Sequence, residues 1–295
     1  MRILVSGSSG LIGSALRPAL VAAGHEPELL VRGDGDKGIP WAPPSQGPSP
    51  DALAGLDAVV HLAGENIAAR RWSAGQKQCL RESRVQATHV LCESLANMKK
   101  PPRVLLSASA IGIYGSRGDE ELSEESLPGD DFLAQLALEW ESATAPAKDA
   151  GIRVVHLRFG VVLSSHGGAL GKMLLPFKLC LGGRVGSGRQ WWSWVTLSDS
   201  VRAILHVLEN ESLSGPVNVV AGTVPNADFA RALGRVLGRP ALFPLPAFVA
   251  RLAMGEMADA LLLSSARVES KKLRDGGFEF QQANLESAFR ELLKN

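Results

Sequence analysis

A single tyrosine occurs among the 295 residues, and only three cysteines. With one phenol in the chain, any tyrosine-based proton transfer falls to Tyr114 or to nothing. Cys79, Cys92 and Cys180 lie far apart with no C-x-x-C pair, which argues against a zinc ribbon, a redox dithiol or a disulfide framework and fits a reducing, cytoplasmic setting. Val85, Thr88, Cys92 and Leu95 recur at helical spacing, so Cys92 reads as core. Also missing is any uninterrupted apolar run near the ~18 residues of a membrane span, and the opening MRILVSGSSG reaches glycine too early to read as a signal peptide. Net charge is nearly absent: 31 basic and 30 acidic side chains leave +1. That balance argues against a protein built to coat nucleic acid or an anionic membrane. The pairs Arg70-Arg71, Lys99-Lys100 and Lys271-Lys272 are scattered and read as solvated faces. No Ser/His/Asp set and no metal-type cluster is recognisable, so no metal is expected.

What is present is a globular composition, 45% apolar and 21% charged, in a chain long enough for about two domains. Arg2 to Ser6 reads as a strand, Gly7 to Gly13 as a turn, Leu11 to Ala23 as a helix and Leu29 to Val31 as a second strand closing at Arg32. Pro18 is awkward inside that helix, but both flanks support it. Residues 33–50 are a Gly/Pro-rich loop with a short strand near Ile39 to Trp41. Strands are expected at Asp57 to Leu62, Val104 to Ser107 and Arg153 to Leu163, with helices near Gly75 to Asn97 and Asp131 to Ala143. This alternation predicts an α/β fold, a doubly wound parallel sheet of the Rossmann kind. Residues 1–222 are expected to form it, with 164–195 contributing to a substrate side. A helix from Ser200 to Glu209 and a strand from Val217 to Val220 return to the sheet. Residues 223–295 read as a smaller, mainly helical segment packed over a pocket, with Leu261, Leu262 and Leu263 buried in it.

The turn Gly7-Ser8-Ser9-Gly10-Leu11-Ile12-Gly13 is a G-x-x-G-x-x-G sequence directly after a strand and opening a helix. Glycines let a pyrophosphate approach the amides at the helix N-terminus, where the dipole favours anions. Gly7, Ser9, Gly10, Leu11, Ile12 and Gly13 are therefore the candidate dinucleotide contacts. An NAD site usually ends its second strand in Asp or Glu, to bind the ribose hydroxyls. Arg32 stands there instead and suits a 2′-phosphate, which predicts NADP.

With these residues in view, the sequence resembles an atypical extended short-chain dehydrogenase/reductase of the epimerase/dehydratase superfamily. More narrowly it is similar to the subgroup called epimerase family proteins, or nucleoside-diphosphate-sugar epimerases. The resemblance rests on GSSGLIG, on His61-Leu62-Ala63-Gly64-Glu65-Asn66, on Ser83-Arg84 and on Ser107 to Gly115 (SASAIGIYG). It continues through Gly160 to Leu163, Gly167 to Leu170, Trp191 to Asp199 and Leu273 to Phe280. It implies that Leu62, Ala63 and Gly64 pass beneath the cofactor, that Arg84 contacts it, and that Val162 is a backbone contact near the nicotinamide. Taken alone, Arg84 reads equally as a solvated helix arginine and Val162 as strand core.

The family's catalytic pair breaks here. Its members use Tyr-x-x-x-Lys on a helix, where the lysine's charge lowers the phenol pKa. The matching helix, from Asp131 to Ser142, contains neither residue. The adjacent carboxylates of the dehydratases are also missing before Tyr114-Gly115. The remaining candidates are Ser107 and Ser109 as hydrogen-bonding partners of a substrate carbonyl, Tyr114 as a proton donor, and Glu139 or Glu141 as a replacement base. For the serines, loop hydrogen bonding is an equal reading, and for the glutamates a solvated helix face is the plainer one. His61 and His156 read as satisfied core histidines.

Trp191, Trp192 and Trp194 either stack on a planar or sugar-like ligand or pack in the interior. Asp199 reads first as a helix-start residue. The expected function is that of an NADP(H)-binding, oxidoreductase-like or epimerase-like protein acting on a small-molecule substrate. Its rival is a non-catalytic NADP(H) sensor. Neither the substrate nor the oligomeric state is legible.

Overall fold

The computed structural model describes residues 1–33 and 38–294. Strands run in chain order as β1 (Arg2–Ser6), β2 (Glu26–Arg32), β3 (Ile39–Trp41), β4 (Ala58–His61), β5 (Val104–Ala110), β6 (Glu121–Leu122), β7 (Arg153–Phe159), β8 (Val161–Ser164), β9 (Trp191–Thr196), β10 (Gly215–Val219), β11 (Gly222–Pro225) and β12 (Arg267–Val268). Seven of them form a parallel sheet in the order β10-β7-β5-β4-β1-β2-β3, the Rossmann arrangement, with helices in the β1–β2, β4–β5, β5–β7 and β7–β10 connections. Its central strands are apolar along their middles, as strands covered on both faces must be. Ile3, Leu4 and Val5 of β1 and Ala58, Val59 and Val60 of β4 are fully buried.

Chain contacts divide into two compact units. One comprises Met1–Ala110, Leu136–Arg158 and Val201–Val217, the other Ile111–Gln135, Phe159–Ser200 and Asn218–Asn295. The second unit carries the small sheet β11-β9-β8 and the pair β12-β6. Helices there span Gly168–Lys178, Asn226–Leu237, Ala247–Met254 and Leu285–Leu292.

Several expectations need correcting. The strand read over residues 153–163 is two strands. At Gly160 the chain leaves the large sheet and β8 pairs with β9 instead. A Cβ at Gly160 would lie 2.8 Å from the Ser193 carbonyl oxygen, so the side-chain-free residue permits the break. The helix read over 75–97 contains a π-helical stretch, Glu82–Gln86, between Ala74–Arg81 and Ala87–Ala96. Leu261, Leu262 and Leu263 are half-buried rather than buried, because they fall in a second π-helical stretch, Asp259–Leu263, whose wider turn spreads successive side chains around the axis. The helix Leu11–Ala22 tolerates Pro18 on its exposed side, where water solvates the carbonyl that loses its partner.

Ser6, His61 and Thr88, buried in the first unit, are tied into one chain of hydrogen bonds. The Ser6 hydroxyl accepts from the Leu62 and Ala63 amides at 3.1 and 3.2 Å and lies 2.6 Å from His61 Nδ1. His61 Nε2 lies 3.0 Å from Thr88 Oγ1, which also accepts from Trp140 Nε1 at 2.9 Å. Since Ser6 Oγ already accepts two amide protons, its own proton goes to Nδ1, which leaves the His61 proton on Nε2. A protonated ring would need Ser6 to accept a third N–H. Burial accordingly pushes the His61 pKa down to about 4.

The sign of the pH effect follows. The unfolded chain binds a proton at His61 near pH 6.5, the folded one only near 4, so stability falls as pH drops through that window. Urea unfolding at pH 7 and at pH 4.5 should differ by about 2–3 kcal/mol through this group. His156, also lowered by burial, acts in the same direction. His61→Gln should shrink the difference; an unchanged pH dependence would show that the ring is not the titrating group.

Candidate functional site

The turn after β1 is shaped by close backbone approach. Gly7 has φ +68°, and a Cβ there would lie 2.6 Å from the Leu62 carbonyl carbon. A Cβ on Gly13 would lie 2.3 Å from the Gly7 oxygen, so helix and strand pack more tightly than any side chain allows. The Gly10 amide closes the turn onto the Gly7 carbonyl at 3.0 Å. Beyond it the helix starts with no side-chain cap and no acid in its first turn. The amides of Leu11, Ile12 and Gly13 meet no acceptor among the described residues, and Ser9 and Gly10 are exposed beside them. Such an opening is built for an anion.

Two arginines flank it within the same unit. Arg32, at the end of β2, is exposed, and its guanidinium pairs with no carboxylate among the described residues. Arg84 sits in the π-helical stretch, donates to the Glu65 carbonyl at 2.8 Å and lies over the Trp140 ring, 5.2 Å from its centroid. A Cβ on Gly64 would lie 3.4 Å from the Arg84 guanidinium carbon. Burial lowers the Arg84 pKa to about 10, against the pull of Glu65. A desolvated cation held by carbonyl oxygens and a ring face retains positive charge for a ligand. These groups fit a phosphate-bearing dinucleotide.

Comparison with known proteins agrees with that geometry. The model of the NAD dependent epimerase/dehydratase family matches residues 3–222, and a domain of unknown function, DUF1731, matches 245–292. An epimerase family protein of Mycobacterium bovis is 44% identical over 289 residues, spanning 97% of this chain and 95% of that protein. The chain belongs to the NAD-dependent epimerase/dehydratase family. Human epimerase family protein SDR39U1, solved with NADPH, superposes with TM-score 0.90 at 36% identity over 99% of both chains. A nucleoside-diphosphate sugar epimerase from Corynebacterium glutamicum superposes with TM-score 0.82 at 36% identity, over 99% of this chain and 58% of that one.

In this family member the helix that normally supplies tyrosine and lysine does something else. Glu139 is bound on the surface by Arg81, at 2.7 and 3.1 Å. The Glu141 side chain, 10% exposed, is gripped by Arg158 at both oxygens, 2.8 Å each, while the Ser109 hydroxyl donates to it at 2.7 Å. Burial alone would raise its pKa, but the hydrogen bond and charge of Arg158, with His156 and Ser109, hold it below the usual carboxylate range. An ionised carboxylate accepts only, so the Ser109 proton is committed to Glu141. This changes the expected chemistry of both groups. Glu141 is too acidic to be the base near neutral pH, and Ser109 turns lone pairs rather than a proton toward any ligand. It can accept from a substrate hydroxyl; it cannot polarise a carbonyl while this bond stands. Ser107 is buried, its hydroxyl 3.4 Å from the Ala108 carbonyl oxygen.

Within the second unit Tyr114 is fully buried and donates to Asn218 Oδ1 at 2.8 Å. Val162, in edge strand β8, is half-buried opposite Val195. The tryptophans separate: Trp194 is buried, Trp192 packs edge-on against Phe229, and half-buried Trp191 bonds Asp119. Asp199 is buried at the start of helix Leu197–Glu209 and receives the Gln281 and Gln282 amides at 3.0 Å each, anchoring the C-terminal segment.

Ser6, Thr88, Trp140 and Arg158 were missed as site supports. The signal was a polar or charged residue inside an apolar strand, as in Val154-Val155-His156-Leu157-Arg158, which has to be paired when buried. Glu141→Gln should cost about 3 kcal/mol or more, because it strands the Arg158 charge. Tyr114→Phe should cost about 1–2 kcal/mol through the lost buried bond. Denaturant titration of both variants checks the ranking; Tyr114→Phe costing more than Glu141→Gln would reverse it.

Proposed function

We propose that this family member binds NADP(H) and exchanges hydride with a small-molecule substrate without the Tyr-x-x-x-Lys pair. The observation that carries the reading is Arg32, a cation free of carboxylate partners among the described residues, at the strand end where NAD-specific relatives keep an acid. The NADPH in the human relative supports it. The Leu11, Ile12 and Gly13 amides and Arg84 hold the pyrophosphate side, and Leu62, Ala63 and Gly64 run beneath the cofactor. NADP(H) supplies the hydride chemistry. This chain's own part is to bind, orient and exclude water, and to accept a hydroxyl proton contact at Ser109 Oγ, which the Glu141–Arg158 pair positions.

One observation favours the second reading, a non-catalytic sensor whose partners respond to the NADP+/NADPH ratio. The protons of both Ser109 and Tyr114 are already donated to protein acceptors, so neither hydroxyl is ready to act as an acid.

Calorimetric titration should show NADPH binding at least several-fold tighter than NADH. Arg32→Asp should remove about 1.5–3 kcal/mol of that preference, the worth of charge-assisted bonds to a 2′-phosphate. Equal affinities in the parent protein would sink the cofactor reading. If NADPH binds but no hydride transfers to any of a broad panel of carbonyls and nucleotide sugars, the sensor reading stands instead.

A further inference from the structure

In the second unit the chain from Gly182 to Gly186 runs alongside Phe243 to Leu245. The Phe243 amide donates to the Gly182 carbonyl at 3.2 Å, Leu245 to Arg184 at 2.8 Å and Gly186 back to Leu245 at 2.8 Å. A Cβ on Gly183 would lie 2.2 Å from the Phe243 oxygen, so the approach is backbone on backbone. This ribbon joins the end of helix Gly168–Lys178 to the start of helix Ala247–Met254. Around it stand Leu175 and Leu179, 66% and 59% exposed, Leu242 and Phe243, 74% and 58%, and Phe248 and Leu252, 70% and 76%. Each helical pair is spaced four residues apart and so shares a face. Single exposed leucines are ordinary; six large apolar side chains gathered at one ribbon are not.

Exposed acids do stand beside helix Ala247–Met254, Glu256 and Asp259, and Asp259 pairs with Arg251, but the excess charge around the six is positive. No Asp or Glu occurs between Asp149 and Asp199, or between Asp228 and Glu256, while Lys178, Arg184, Arg189 and Arg239 fall within those stretches and are exposed. Lys178, Arg189 and Arg239 have no carboxylate partner among the described residues, and Arg184 donates to the Ser187 carbonyl. The chain's net charge of +1 conceals this because acids elsewhere cancel it. A second copy placed on the same patch would bring like charges together. A polyanionic peptide would meet the cations and leave the six apolar side chains in water. A surface with an apolar layer beneath an anionic one satisfies both.

We propose that this face docks on bilayers containing anionic lipids, inserting the leucines and phenylalanines at the headgroup boundary with the cations against lipid phosphates and without spanning. This proposal departs from the expectation of no membrane contact, which was drawn from net charge alone.

The test is co-sedimentation of the full chain with vesicles of phosphatidylcholine alone and of phosphatidylcholine mixed with phosphatidylglycerol. The protein should pellet with the mixed vesicles, less so as salt is raised, and weakly with the neutral ones. Lys178→Glu with Arg239→Glu should weaken binding about fivefold or more per residue, and Leu242→Asp with Phe248→Asp should abolish it, with NADPH affinity unchanged in both. Thermal unfolding checks that the variants are folded; should the apolar pair melt early, the exposed charge pair decides. Failure to pellet with mixed vesicles at low salt overturns the proposal. So does equal pelleting with both vesicle types, or a solution dimer that the apolar substitutions dissociate. Polyglutamate binding that survives Leu242→Asp with Phe248→Asp, with no vesicle binding by the parent protein, would assign the face to an acidic polypeptide.

Discussion

The hydroxyl of Ser6 is the point from which the cofactor side of the first unit is organised. It ends β1 just before the glycine turn, holds the amides of Leu62 and Ala63 at the end of β4, and passes its proton to His61. Every one of these groups is buried or half-buried, so none has water as an alternative partner, and the cost of an unmade bond is the full desolvation of a polar group. Adjacent strand ends are thereby locked in register at the edge where the Rossmann crevice forms. From His61 the chain of bonds continues through Thr88 to Trp140, whose ring carries the Arg84 guanidinium. The glycine turn and the half-buried Arg84 cation are therefore fixed by one set of mutually dependent bonds, and a neutral His61 is a condition of all of them.

The same constraint, that buried polar atoms must be matched, decides what the catalytic region can do. Family members spend the helix opposite the serine strand on a phenol and an ammonium. Here that helix presents Glu141, and the charge of Glu141 has to be answered by Arg158 because both are out of water. Once the carboxylate is ionised, Ser109 can only donate to it. The orientation of the serine proton is thus set two residues away, by an arginine on β7. A site arranged this way is suited to hold a hydroxylated ligand in place, and less suited to move protons for it.

Strand–turn–helix periodicity, the G-x-x-G-x-x-G turn and Arg32 were readable because each depends on residues close in sequence. The glycines are required by backbone contacts at a single turn, and Arg32, on which the expectation of NADP rests, sits at one strand end. Cys92 was correctly read as core from its helical spacing, and burial raises its thiol to about 12. The role of Glu141 was not readable. Its amphipathic spacing matched a solvated helix face as well as an active site, and its partners Arg158 and Ser109 come from two different strands. Glu139, on the same helix, did turn out to be the solvated member.

By itself, then, the sequence determined the architecture and the kind of cofactor, since both follow from local periodicity and from one turn whose geometry tolerates only glycine. Tertiary structure decided protonation and proximity. It linked the core histidine His61 to Ser6 and Thr88 in neutral form, committed the Ser109 and Tyr114 protons to protein acceptors, broke the strand at Gly160, and brought the exposed apolar stretches near residues 182 and 243, some sixty residues apart, side by side. These depend on which atoms lose contact with water together, and burial is a property of the folded chain that no single segment carries.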